Sequence, residues 1–207
     1  VADFRPTRGP SSGGTVMTLS GSGFPVDGMS CRVGGELGTQ LDRVSSTMAL
    51  CVAPAVASPG PAAVEVSDNG AHFVAASHSF VFTRPLHIER VSPSVAAPGA
   101  AVRLSLSDDP RGAGTVGAAG EFVCRFGGAH MADATRVAAR VVACTPPRGL
   151  AGNLTVALSD NFADFSAVVS LRVLPRMSVA AVSPSAVLAF AASVVTIAGR
   201  GFRQRSG

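Results

Sequence analysis

The sequence has no lysine, no tryptophan and no tyrosine, and only 14% of its 207 residues are charged. Without tryptophan and tyrosine, it lacks the side chains that most often anchor protein interfaces and stack on nucleic acid bases. All 17 basic residues are arginine, and they are scattered along the chain. Because nucleic acid binders usually carry a basic face interleaved with aromatics, we expect no nucleic acid partner.

Long apolar runs and helical periodicity are also missing. No apolar run approaches the ~18–20 residues that span a bilayer, so we expect no membrane insertion by this segment. Residues 1–20 do not have the pattern of a signal peptide. With 47% apolar residues and a net charge of +4, the chain has enough hydrophobic material to bury a core, which argues against disorder.

Two stretches of about 90 residues repeat the same motifs in the same order, which indicates tandem domains. The matching pairs are Cys31–Gly35 with Cys124–Gly128, Cys51–Pro54 with Cys144–Pro147, Val64–Asn69 with Val156–Asn161, and Phe73 with Phe165. A third copy begins where Val182–Ser185 repeats Val91–Ser94. We therefore predict domains at residues 1–83 and 85–174, followed at 177–207 by the first part of a third. The pattern is typical of a piece of a longer array.

Each unit contains runs of about five residues that are rich in Val, Thr and Phe and often alternate apolar with small polar residues. Such runs indicate short strands buried on one face, and the Gly-, Pro- and Asn-rich clusters between them indicate turns. Val137–Cys144 is apolar, short and β-branched, which favours strand over helix for this segment. Six or seven strands per unit predict an all-β protein built from antiparallel sandwiches.

The order of these motifs resembles the IPT/TIG domain, an immunoglobulin-like β-sandwich of plexins, hepatocyte-growth-factor-type receptors and large protist surface proteins. The residues that carry the resemblance are Pro6, Gly9-Pro10, Gly13–Thr15, Gly21–Phe24, Cys31, Gly34-Gly35, Cys51–Pro54, Gly60, Val64–Gly70 and Phe73. The resemblance covers nearly the whole chain. It implies tandem immunoglobulin-like sandwiches in an extracellular or cell-surface protein.

Four cysteines permit three pairings, and the repeat favours Cys31 with Cys51 and Cys124 with Cys144, each 20 residues apart. Disulfides imply an oxidising compartment, whereas four reduced thiols in a cytosolic protein are the alternative. A zinc site needs closely spaced cysteine or histidine pairs, and the sequence has none. The triplet that begins at Asn153 is a candidate glycosylation site in a secreted protein.

The second unit carries an eight-residue insertion before Cys124, and we predict a longer, mobile surface loop at 107–121. Because the insertion occurs in one unit only, it is the best candidate for a specific contact, and a tolerated insertion without a partner is the alternative. The candidate contact residues are Asp108, Asp109 and Arg111.

Patterns that would indicate catalysis or metal binding are weak. Residues 112–117 spell a dinucleotide-binding glycine motif, but no predicted helix follows it. The four histidines are dispersed. Asp68-Asn69 and Asp160-Asn161 offer oxygens suited to calcium, but turn formation explains both pairs. We therefore expect no cofactor, no metal and no enzyme activity.

These observations predict a structural module whose domains act as spacers and contact other chains or neighbouring domains of the array. The alternative is a receptor-type ectodomain that binds a protein ligand or glycan through a sheet edge or the 107–121 loop. The Ala-rich, Lys-free composition is typical of a GC-rich genome and is compatible with an algal or other protist coat, such as the surface of a cilium.

Overall fold

The computed structural model describes residues 2–37, 40–108, 119–190 and 192–202, and every regular element in these ranges is a β-strand. The first module has nine strands: β1 Asp3–Arg5, β2 Arg8–Pro10, β3 Val16–Ser20, β4 Ser30–Val33, β5 Glu36–Leu37, β6 Gln40–Ser45, β7 Met48–Val52, β8 Gly60–Ser67 and β9 Val74–Thr83. The second module has eight: β10 Ile88–Ser92, β11 Val95–Ala96, β12 Val102–Leu106, β13 Ala119–Phe126, β14 His130–Ala138, β15 Val141–Cys144, β16 Gly152–Ser159 and β17 Val169–Val173. The third segment has two: β18 Ser178–Ser183 and β19 Thr196–Arg200.

The first module is a sandwich of two sheets, with strand orders β1-β3-β7-β6 and β2-β9-β8-β4-β5. Strand β3 shows why the layers form, because Met17 and Leu19 alternate with exposed or half-buried residues and are themselves buried. They pack in one core with Phe4 and Phe80. The alternation of period two thus produces one apolar face per sheet, and the two faces exclude water together.

The second module repeats this arrangement around a separate core, which includes Leu104, Phe122 and Phe126. Its strands form one hydrogen-bonded set in the order β10-β12-β15-β14-β13-β16-β17-β11. The set is continuous because the first part of β14 pairs with β13 and its last part pairs with β15. In the first module, the separate strands β5 and β6 make the corresponding pairings. One continuous strand thus passes between the two layers of the second sandwich.

The all-β prediction is confirmed. The segment Val137–Cys144 is β structure rather than helix, as expected, but it is not one uninterrupted strand, since β14 ends at Ala138 and β15 begins at Val141. No Gly or Pro marks this turn; instead, the buried Arg136 side chain donates to the carbonyl oxygens of Ala138 and Ala139 at 3.4 and 3.1 Å.

The sandwiches are also not purely antiparallel, since β2 runs parallel to β9 and β11 runs parallel to β17. In both modules the chain crosses from one layer to the other just before these strands, at Pro6 and Pro93, each of which follows a cis peptide bond. After the crossing, the chain pairs with the last strand of its own module and runs parallel to it.

Strand β13 begins at Ala119, inside the range 107–121 that was predicted as a loop. Ala119 is paired with Thr135 on the long strand β14, which extends far enough to hold it. Residues 109–118 lie outside the described ranges.

In the third segment, β18 and β19 pair antiparallel, as β1 pairs with β3 and β10 with β12. Val182 and Ile197 lie opposite each other in this hairpin and are exposed. The domain boundaries at 83/85 and 174/177 stay predictions.

Candidate functional site: the joint between the modules

The turn between β16 and β17 is organised by the side chain of Asn161. Its Oδ1 accepts hydrogen bonds from the Ser159 hydroxyl at 3.1 Å and from the backbone N–H groups of Ala163 and Asp164 at 3.0 and 2.8 Å. Such a turn uses the asparagine carbonyl in place of a backbone acceptor. The Asn161 carbonyl oxygen is thus used within the turn, and the Nδ2 group of the same amide is available as a donor.

The first module contains the same turn between β8 and β9. Asn69 Oδ1 accepts from the Ser67 hydroxyl at 3.0 Å and from the Ala71 and His72 N–H groups, both at 2.9 Å. These contacts explain both Asp-Asn pairs as turn formers. Within the described ranges, no group of three or more His, Cys, Asp or Glu side chains is arranged to hold a metal ion.

In the second module this turn also reaches the first module. Asn161 Nδ2 donates to the carbonyl oxygen of Arg8 at 2.9 Å and to Asp164 Oδ2 at 2.7 Å. Asp164 Oδ2 also accepts a hydrogen bond of 2.7 Å from the hydroxyl of Thr15, whose exposed fraction is 0%. Three hydrogen bonds, two of them between modules, thus form one network that we call the joint.

The chain around Thr15 is held tightly. A methyl group on Gly9 would overlap Thr15 Oγ1 and lie 3.0 Å from Phe80 Cζ. The Thr83 hydroxyl donates to the Gly9 carbonyl at 3.2 Å, and the Ser11 N–H donates to the Thr83 carbonyl at 2.8 Å. The part of the first module that contacts the second is therefore anchored to the end of β9, where the connection to the second module begins.

Among the candidate contact residues, Asp108 faces this connection. Its Oδ1 lies 3.5 Å from Arg84 Nη1, and both side chains are largely exposed. An exposed ion pair of this kind contributes little to stability. Asp109 and Arg111 lie outside the described residues.

Each predicted cysteine pair is bonded across the two layers of its own module. Cys31 on β4 is joined to Cys51 on β7, and Cys124 on β13 is joined to Cys144 on β15. The Cα atoms are 6.3 and 6.4 Å apart, and all four residues are buried. The candidate glycosylation residue Asn153 is exposed on β16, opposite Arg172 of β17.

An arginine on a phenylalanine ring recurs on both modules. The Arg32 guanidinium lies 4.1 Å from the centroid of Phe73, and the Arg125 guanidinium lies 3.9 Å from that of Phe165. Arg32 also forms two hydrogen bonds with Glu65, of 2.6 and 3.1 Å. These bonds raise the pKa of Arg32 and lower the pKa of Glu65 relative to their ordinary values. In each module, the contact between arginine and phenylalanine connects a strand, β4 or β13, to the turn region of that module.

Two roles were not predicted from the sequence, that of Asp164 at the joint and that of Arg136 at the turn after β14. Asp164 is not marked as a contact residue by any motif, because the repeat aligns it with His72. Arg136 is only 1% exposed although it carries a full charge, and it aligns with Arg43, which donates to the Phe24 carbonyl at 3.0 Å. The recurrence of arginine at the 93-residue offset was a signal that could have identified Arg136.

The described part of the chain therefore consists of two immunoglobulin-like β-sandwiches in tandem, linked by a polar joint, and of a further β-hairpin. None of its elements is a helix of the length and apolarity needed to cross a bilayer. The family model for the IPT/TIG domain matches residues 1–82, which correspond to the first module.

The chain is similar to other proteins beyond this family match. It is 28% identical over 108 residues to Fibrocystin-L of Mus musculus. The matched region covers 52% of this chain and 2% of that protein. Two structures of the Plexin A4 extracellular region share 16% and 18% identity with it, with TM-scores of 0.48 and 0.45. They cover 87% and 82% of this chain, and 16% and 18% of the plexin chains. The chain thus spans only a small part of the length of each relative.

Proposed function

We propose that this chain is a non-enzymatic structural segment of a large extracellular or cell-surface protein, in which tandem IPT/TIG-like domains act as spacers and as protein contact surfaces. The observation that carries the proposal is the joint, since Thr15 and the Arg8 carbonyl of one module are hydrogen-bonded to Asp164 and Asn161 of the next. A chain that only needed to connect two folded units would require no such network.

The joint is suited to setting the angle between modules. Asp164 Oδ2 accepts two of the three hydrogen bonds of the joint, and hydrogen bonds to a carboxylate are stronger than those between neutral groups. The proline-containing connection at Arg84-Pro85 restricts the preceding residue to extended conformations. The short connection and the polar network together favour one orientation of the second module relative to the first. Each added module would therefore extend the array by a defined step.

The buried cystines fit the same role. Each one links the two sheets of a sandwich, which resists separation of the layers when the chain is pulled or exposed to proteases. They also require an oxidising environment, which supports an extracellular location. More specifically, we propose that the protein lies on the surface of a cilium. In that case an antibody against the chain should label cilia on the intact source cells.

The orientation is testable by residual dipolar couplings measured on the full chain. We expect the two modules to share one alignment tensor in the natural protein and to have separate tensors in Asp164→Ala. The matched control is His72→Ala, which alters the equivalent turn of the first module away from the joint. Equal tensors in Asp164→Ala and the natural chain would refute the proposed role of the joint.

A further inference from the structure

A cleft of about 580 Å³ opens at the joint, in the corner between the outer face of the β1–β3 pair and the Asn161 turn. Val16 and Thr18 line it from β3, Arg5 and Arg8 from the N-terminal strands, and Phe162 from the second module. The volume falls in the range of small-molecule and cofactor sites.

Phe162 has an unusual backbone and an unusual exposure. Its φ is 65°, in the left-handed region that side-chain-bearing residues rarely adopt, and the residue is 57% exposed. The first module places Gly70 at the same position of the same turn, with φ of 71°. The second module thus carries a large aromatic ring where glycine relieves strain, and it does not bury that ring. Strain retained without a gain in packing is typical of functional positions.

The polar groups around the ring define the chemistry of a ligand. The Arg5 side chain is 84% exposed, and its nearest acid is Asp3, at 3.8 Å. Asp160, which also lines the cleft, is only 6% exposed. The basic side chains that line the cleft are therefore Arg5 and Arg8, and Thr18 lies opposite Arg5 on the neighbouring strand. Such a cleft offers an aromatic face, cations and hydroxyl groups to one ligand.

We propose that this cleft binds an anionic sugar residue of a glycan, with the pyranose ring packed on Phe162 and its carboxylate or sulfate paired with Arg5 and Arg8. A pyranose presents a C–H face and a rim of hydroxyls, which matches an exposed ring beside Thr18. Arginine pairs with carboxylates, and with tetrahedral oxyanions, through two parallel hydrogen bonds. This activity is additional to the spacer role and does not depend on it.

The backbone at the rim disfavours the main competing ligand, an acidic peptide that adds a strand to β1. Strand addition needs free N–H donors along the edge. The Phe4 N–H already donates to Asp3 Oδ1 at 2.9 Å, and Pro6 has no N–H. The edge of β1 therefore offers few donors to a peptide backbone.

The proposal is tested by calorimetric titration of the full chain with a galacturonic acid hexamer, a heparin-derived hexasaccharide and a neutral cellohexaose. We expect binding to at least one anionic oligosaccharide, weakening with salt, and none to cellohexaose. The hexamer that binds distinguishes a carboxylate from a sulfate ligand. Phe162→Gly should weaken binding by about tenfold or more and leave the melting temperature unchanged or raised, because it restores the residue found at Gly70.

The matched control is Phe190→Gly, which replaces another exposed phenylalanine of positive φ, 68°, outside the cleft. It should not change affinity, whereas Arg5→Gln should reduce both affinity and salt dependence. The proposal is overturned if no anionic oligosaccharide binds, if cellohexaose binds as well, or if Phe162→Gly retains full affinity. Binding of a Glu-rich peptide in place of the glycans would also overturn it and would assign the cleft to a protein partner.

Discussion

Removing one cystine should destabilise its own module selectively. The change is the double substitution Cys31→Ala with Cys51→Ala, which leaves no unpaired thiol. In the natural chain these cysteines are 20 residues apart and connect β4 of one sheet to β7 of the other. Without the bond, the unfolded chain regains the conformations that closure of this segment had removed.

Loss of a closed segment of that length costs about 3 kcal/mol in the chain-entropy model. A domain of 60–100 residues shifts by roughly 4–8 °C per kcal/mol, so we expect the first transition to fall by roughly 12–25 °C. Because the two hydrophobic cores share no residue, the second module should keep its melting temperature within a few degrees.

Differential scanning calorimetry on the full chain measures both transitions. The matched control is the equivalent double substitution at Cys124 and Cys144, which should lower the melting temperature of the second module instead. Non-reducing peptide mapping of the natural chain should recover the same two pairs. An equal fall of both transitions would show that the modules do not unfold independently, and free thiols in the map would contradict the extracellular location.

Two further predictions concern single contacts, and a third concerns the insertion in the second module. Arg32 lowers the pKa of Glu65, so the ionised carboxylate contributes stability above the unfolded value of about 4.3, and this is lost as pH falls through the lower folded pKa. The melting temperature of the first module should therefore fall in acid more steeply in the natural chain than in Glu65→Gln, and identical pH profiles would refute the pairing. Gly9→Ala should destabilise the first module by about 1–3 kcal/mol through overlap with Thr15, measured by urea unfolding. Adding Thr15→Ala should recover part of that loss, and no recovery would mean that the overlap lies elsewhere. Deleting residues 110–118 should leave both calorimetric transitions in place, whereas disappearance of the second would show that the insertion belongs to the core.

The elements that the sequence predicted well are those encoded by nearby residues. The strand at β3 follows from the alternation around Met17 and Leu19, and the turns at Asn69 and Asn161 follow from side chains that bond to their own backbone. Where no local signal marked a turn, the sequence did not predict it. The turn after Ala138 contains neither Gly nor Pro, and it depends on a buried arginine whose partners become visible only after folding.

The candidate site was less predictable than the fold. Asp108 was singled out because its loop is unique to one unit, yet its contact is an exposed pair with Arg84. Asp164 was not predicted, because a single aspartate in a turn does not form a recognisable sequence motif. Phe162 aligns with a glycine, and the significance of that difference becomes clear only when both residues are seen to share the same positive φ.

By itself, the sequence determined that the protein is a tandem repeat of all-β, IPT/TIG-like units, since equivalent motifs at a constant offset require equivalent folds. Only the tertiary structure decided how one unit meets the next. The joint connects Thr15 with Asp164, 149 positions away, and the Arg8 carbonyl with Asn161, 153 positions away. A repeat reports what each unit has in common, whereas a joint forms between different surfaces of two units, so its residues are free to differ from one copy to the next.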